Sequence, residues 1–286
     1  MPLNHACLDK AYSGEPTDVT LDSIQNYARA CNENNPRYFD SSVMGGMVAP
    51  PMYAVVVTWL PVIAALTDPE LRADLLRLLH TGQDMEFLAP IRPRDRIFSN
   101  ARIAAIEAVG SGESLTLELR ASNQHGEALN RTRFTVLIRG RREPAAATEP
   151  HAAAIGASAR GAPLCAVTEP IARDQTFRYA DASGDRNPIH VDEKVARMAG
   201  LPGIIVHGLC AMSFAARAVI DKLCDRDPLR LKRLAVRFAR PIFPGDSLTT
   251  SIWPSAVASD LRRFYFATTN ASGLIVMRDG NAEISS

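Results

Sequence analysis

The chain lacks an excess of charge of either sign. Its 32 basic and 31 acidic residues leave a formal net charge of +1 over 286 residues, so no global field draws it to nucleic acid or to an anionic membrane. Small molecules, or a second copy of the chain in a homodimer, are the partners this balance suits. Cysteine is sparse as well. Cys7, Cys31, Cys165, Cys210 and Cys224 form no CxxC pair. Two of them lie in or beside an apolar helical stretch, where a thiol behaves as a small hydrophobe, and a reducing cytoplasm fits best. The N-terminal MPLNHACLDKAYSGEP has no continuous apolar run behind a basic start, so no export signal is expected. The six histidines are scattered without ligand spacing, and no metal is expected.

Charge is missing altogether from residues 41–67, SSVMGGMVAPPMYAVVVTWLPVIAALT, a length that could span a bilayer on composition alone. Pro50, Pro51 and Pro61 interrupt it and no Lys/Arg cluster flanks it, so a buried helix is expected and no membrane span.

What is present is a repeat. YARACNENNPRYFD (27–40) lies over YADASGDRNPIHVD (179–192), GMVAPP (46–51) over GIIVHG (203–208), and FLAPIRPRD (87–95) over FARPIFPGD (238–246). Three landmarks in one order argue for a duplicated unit. The Ala/Pro/Gly-rich segment 140–163 reads as a linker between an N-terminal unit, 1–139, and a C-terminal unit, 164–286. Each unit is expected to hold one long apolar helix followed by strand-like runs, which begin at Arg96 in the first unit and at Arg230 in the second. The fold class is therefore α+β, with antiparallel sheets able to join edge to edge.

The chemistry-bearing residues cluster in the second unit. Gly184 permits a turn after a short helix, Pro188 pushes Asn187 out of the helical region, and Asp192 can cap the helix EKVARMA. Asp185 and His190 thus sit in a rigid loop, as a proton-transfer pair requires. Taken alone, the loop is also an ordinary turn, and a lone His near an apolar helix is commonly structural. The first unit discriminates between these readings. It keeps the Asn35-Pro36 turn but carries Glu33 and Tyr38 in place of the pair. Where the second unit has His207-Gly208 at the start of its long helix, the first has Pro50-Pro51, which offer no N–H. An acid/base pair and a helix-terminal donor for a developing oxyanion are lost together.

YADASGDRNPIH followed by VHGLCAMSFAARAV resembles the signature of the MaoC-like, (R)-specific enoyl-CoA hydratases, in their double-hotdog, peroxisomal hydratase form. The resemblance implies two fused hotdog units, each a long helix wrapped by an antiparallel β-sheet. It also implies reversible hydration of a trans-2-enoyl-CoA to a (3R)-3-hydroxyacyl-CoA, catalysed by the C-terminal unit alone. By motif match Asp185 and His190 are catalytic, Asn187 supports their turn, and the Gly208 N–H polarises the thioester. No cofactor is implied beyond the coenzyme A of the acyl-CoA substrate. The degenerate N-terminal unit would accommodate the acyl chain. Arg230, Lys232, Arg233, Arg237 and Arg240 are candidates to meet the coenzyme A phosphates. The alternatives are a 3-hydroxyacyl-ACP dehydratase of fatty-acid or polyketide synthesis, running the same chemistry backward, and a non-catalytic acyl-CoA-binding partner subunit.

Overall fold

A computed structural model describes residues 2–140, 161–255 and 261–285. Most of the expected linker, 141–160, lies outside the described residues. The first unit contains β1 (Ala11–Ser13), β2 (Thr17–Asp18), α1 (Leu21–Ala30), α2 (Ala54–Val57), α3 (Trp59–Leu66), β3 (Leu78–Phe87), β4 (Arg96–Val109), β5 (Gly112–Ser122) and β6 (Ala128–Arg139). The second contains β7 (Cys165–Pro170), α4 (Gln175–Ser183), α5 (Glu193–Met198), α6 (Gly208–Leu223), β8 (Leu231–Phe238), β9 (Ser247–Pro254), β10 (Leu261–Asn270) and β11 (Ile275–Ser285). All strand pairs are antiparallel and form one sheet in the order β1-β4-β5-β6-β3-β8-β11-β10-β9-β7, with β2 also on β4.

The two half-sheets join through β3 and β8, and the register of that joint is symmetric. Gly82 faces Arg237 and Glu86 faces Arg233, with Asp84 opposite Ala235 at the centre. Arg233 donates twice to the Asp84 carboxylate, at 2.8 and 2.7 Å, and also pairs with Glu283, a bidentate contact that strengthens the seam. The duplication extends to single hydrogen bonds. Ala49 N–H donates to Ile91 C=O at 2.9 Å as Val206 does to Ile242 at 2.8 Å. Val19 exchanges bonds with Arg94 and Asp95 as Ile171 does with Gly245 and Asp246. These matches make Pro51 the counterpart of Gly208, and Phe87 that of Phe238.

Helix α6 is buried over nearly its whole length, from Leu209 to Ile220, because both of its faces are apolar and the sheet curves round it. Its core is shared between the units, since Tyr27, Met52 and Tyr53 pack with Met212, Phe214 and Leu234. The expectation of one long helix in the first unit is corrected. There the chain forms a 3-10 turn at Pro51–Tyr53, then α2, a break at Thr58, and α3. Pro61 supplies no N–H to the Val57 carbonyl and its ring crowds that oxygen, so the helix breaks there. The Thr58 hydroxyl donates to the Ala54 carbonyl at 2.8 Å instead. No described helix is long and apolar enough to cross a membrane.

Candidate active site

The loop after α4 is built by local turn chemistry. Gly184 ends the helix at φ +80°, in the left-handed region that favours glycine. Asp185 N–H then donates to Ser183 Oγ at 3.2 Å, and Asp185 Oδ1 accepts from Asn187 N–H at 3.1 Å. The Asn187 side chain caps the 3-10 turn Pro188–His190, and Asp192 caps α5 with bonds from Lys194 and Val195 N–H. Asn35 caps the matching turn of the first unit, so the Asn187 contact is one that the fold makes in both halves. The first unit also braces this loop, because Trp59 Nε1–H donates to the Gly184 carbonyl at 3.0 Å.

His190 is buried, and its Nδ1–H donates to the Ile205 carbonyl at 2.8 Å. A carbonyl can only accept, so this bond fixes the tautomer and leaves the Nε2 lone pair free. His207 makes the matching bond from Nε2–H to the Asp185 carbonyl at 2.9 Å. Its ring stacks on His190, with centroids 3.8 Å apart at 26°, and lies against Tyr179 on the other side at 4.9 Å. One oxygen or nitrogen from each of Asp185, His190 and His207 falls within 4.8 Å of the others. Two hydrogen bonds of ~2.8 Å to one water span about that distance. Asp185 and His190, separated by a turn in sequence, are therefore brought together in the fold.

The residue after His207 is Gly208, the first of α6, whose N–H has no intrahelical acceptor. A Cβ at Gly208 would lie 3.0 to 3.2 Å from the Phe238 ring, so glycine is what lets β8 close against the helix terminus. His207 thus ties the Asp185 backbone, the His190 ring and the Gly208 N–H into one unit.

Burial sets the proton affinities. It pushes the Asp185 carboxyl up to about 6, against a smaller opposing effect of the Asn187 N–H bond. It pushes His190 down to about 4, opposed by its bond to Ile205, and His207 down to about 2, with His190 adding to the effect. At neutral pH the site therefore holds a mainly ionised carboxylate and neutral imidazoles, and both Asp185 and His190 can accept a proton. In the first unit burial pushes Glu33 up to about 8, with Arg217 opposing, and Tyr38 is fully buried. That pair presents a neutral acid and an enclosed phenol.

Asp185, His190 and His207 are also the described residues that come nearest to a metal-binding cluster around this loop. The stacked rings suit it poorly. Planes tilted by 26° at 3.8 Å meet far beyond the ~2 Å at which an imidazole nitrogen binds zinc in its own plane.

Two residues at the site were not singled out from sequence. His207 was read only as the start of α6, because its contact to Asp185 spans 22 residues of chain. His80, on β3, packs its ring against Phe134 at 4.2 Å and Phe238 at 4.7 Å, which brings a first-unit side chain up to the wall of Gly208. The basic residues in and beside β8 are only partly available for phosphates. Arg233 is held by Asp84 and Glu283, Arg230 pairs with Asp225, and Arg240 donates to the Ile275 carbonyl.

Known proteins are similar to this chain. A family model described as MaoC like domain matches residues 155–272, and one described as FAS1-like, dehydratase domain region matches residues 9–132. The chain is 31% identical over 212 residues to Enoyl-CoA hydratase 2, peroxisomal, of Arabidopsis thaliana, covering 71% of this chain and 68% of that one. It is 31% identical over 211 residues to 3-hydroxyacyl-thioester dehydratase Y of Mycobacterium tuberculosis, covering 72% of each. The crystal structure of a MaoC-like dehydratase from Phytophthora Capsici shares the fold, with a TM-score of 0.77 at 21% identity over 99% of this chain and 97% of that one. Two relatives above 30% identity, each matched over more than two thirds of its length, and a duplicated hotdog sheet place the chain in the MaoC-like family of hydratases and dehydratases.

Proposed function

We propose that the protein catalyses the reversible hydration of a trans-2-enoyl-CoA to a (3R)-3-hydroxyacyl-CoA, with Asp185 and His190 as the proton-transfer pair and Gly208 N–H as the oxyanion donor. The observation that supports this reading is that Asp185, His190 and His207 each bring an oxygen or nitrogen within 4.8 Å of the others, next to Gly208 at the first position of α6. Water is a poor nucleophile, and C3 of an enoyl thioester accepts it only if negative charge moves to the thioester oxygen. A donor at Gly208 meets that charge. As the water oxygen bonds C3, the C2=C3 electrons pass into the enolate. The pair removes one proton from the water and returns one to C2, and the carbonyl re-forms. Because the pair supplies the proton and the N–H stabilises the charge, we read the reaction as needing no cofactor beyond the substrate's own coenzyme A.

Asn187 serves by holding Asp185 through its N–H. The N-terminal unit, 1–139, serves as scaffold and acyl-side wall, supported by Trp59 on the catalytic loop and His80 beside Phe238. The relative named 3-hydroxyacyl-thioester dehydratase supports a second reading, the same equilibrium run toward the enoyl thioester. Five free cysteines, four of them buried, support a reducing compartment, which we take to be the cytoplasm. The Arabidopsis relative is named peroxisomal.

Purified protein is expected to remove the conjugated enoyl-thioester absorbance of crotonyl-CoA or a longer trans-2-enoyl-CoA. The product should be oxidised by a (3R)-specific hydroxyacyl-CoA dehydrogenase and left untouched by a (3S)-specific one. A (3S) product would contradict the assignment.

A further inference from the structure

The first unit retains an open cavity of about 190 Å³ at its own version of the thioester site. Pro51, Ala54, Phe87, Ile91 and Leu231 form its wall. By the matched hydrogen bonds and the symmetric joint, Pro51 stands where the second unit has Gly208, Phe87 where it has Phe238, and Leu231 where it has His80. In the second unit the Phe238 ring closes on Gly208 and His80 packs behind it. In the first unit the corresponding space is a cavity lined mainly by aliphatic and aromatic carbon, with Asn130 and Lys232 as its polar side chains.

The geometry points to a second, non-reacting ligand site here, which takes an aliphatic acyl chain carrying an anionic head group. This rests on the reading of the second unit as an acyl-thioester site. Two observations select the ligand. The wall is inherited from a pocket shaped for an acyl thioester, and it has lost its chemistry, since Pro50 and Pro51 have no N–H and neither Glu33 nor Tyr38 lines it. The single charged side chain of the lining is Lys232, at the start of β8. Its neighbours Arg230 and Arg233 are neutralised by Asp225, Asp84 and Glu283. Lys232 has no acidic partner among the described residues, so its ammonium is available to a carboxylate or a phosphate at the cavity mouth. An acyl chain bound there stays intact.

The test is isothermal titration of the full-length protein with octanoyl-CoA, whose saturated chain cannot be hydrated. Two binding sites per chain are expected. Ala89→Trp, which fills the half-buried mouth of the cavity, and Lys232→Glu, at its rim, should each reduce the count to one or weaken the second site at least tenfold. Crotonyl-CoA hydration should stay within about twofold of wild type in Ala89→Trp. Octanoate identifies the head group: displacement of the second octanoyl-CoA means that a carboxylate suffices, and no displacement means that the coenzyme A phosphates are recognised. A single site in the wild type, or a second site untouched by both substitutions, would overturn the proposal. Because hydration is measured separately, failure of the catalytic reading would show as absent turnover, whatever the site count.

Discussion

Asp185→Asn is expected to lower kcat/KM for enoyl-CoA hydration by ~10³-fold, within the range of one lost proton-transfer group, while making the folded protein more stable at neutral pH. The two effects share one cause. Burial raises the Asp185 carboxyl from 3.8 to about 6, whereas the unfolded chain holds it near the lower value. Between these values the folded state binds more protons, so stability falls as pH rises through the window, by at most about 3 kcal/mol. Residual solvent contact at this half-buried side chain reduces that figure. Asparagine carries no such cost. Thermal unfolding should therefore show a higher Tm for Asp185→Asn at pH 7, and the advantage should vanish near pH 4. His190 has the opposite sign. Its affinity is depressed to about 4, so its contribution is present above 6.5 and is lost as pH falls toward 4. His190→Gln should lose comparable activity without the gain in neutral-pH stability. In the wild type kcat/KM should fall with pH below about 6 as Asp185 takes up a proton. The residual activity of Asp185→Asn should keep only the lower limb set by His190. An unchanged acid limb in that variant would remove Asp185 from the reaction.

The second large effect separates a hydrogen from a methyl group. Gly208→Ala keeps the N–H and adds a Cβ that meets the Phe238 ring at 3.0 Å. Gly208→Pro adds a comparable carbon and removes the N–H. Proline is tolerated at the first helical position, and the preceding His207 already has the extended ψ of 133° that proline demands. The first unit carries this arrangement naturally at Pro51. Relative to Gly208→Ala, Gly208→Pro is expected to lose a further ~10²-fold in kcat, equivalent to about 3 kcal/mol of oxyanion stabilisation. Circular dichroism and Tm should match between the two variants. Equal kcat in both would mean that the thioester oxygen is stabilised elsewhere.

The loop that carries Asp185 and His190 was legible in sequence because its geometry is local. Gly184, Asn187, Pro188 and Asp192 each act on the backbone within a few residues, and each does in the structure what its type dictates. The duplication was legible because it preserves landmarks in order, down to Asn35-Pro36 and Asn187-Pro188. Strand β3 was not, because it lies at the centre of the sheet yet carries His80, Thr81, Gln83 and Asp84. Asp84 is paired across the joint by Arg233 and Thr81 donates to Thr135 on β6, and an alternation rule sees no strand in such a polar run. Strand β7 and helix α1 were not read from the sequence, although α1 carries a capping box at Thr20 and buries Ile24, Tyr27, Ala28 and Ala30 along one face. Pro61 announced an interruption, but where the helix would break depended on its i−4 carbonyl at Val57. The role of His207 was hidden because a stacking contact to His190 and a bond to Asp185 are made only by the folded chain.

The most direct measurement is a crystal structure of Asp185→Asn with a bound (3R)-3-hydroxyacyl-CoA. The account predicts the C3 hydroxyl between residue 185 and His190 Nε2, with the thioester oxygen within hydrogen-bond distance of the Gly208 nitrogen. A ligand seated with its hydroxyl away from both side chains, or its thioester oxygen turned from Gly208, would contradict it.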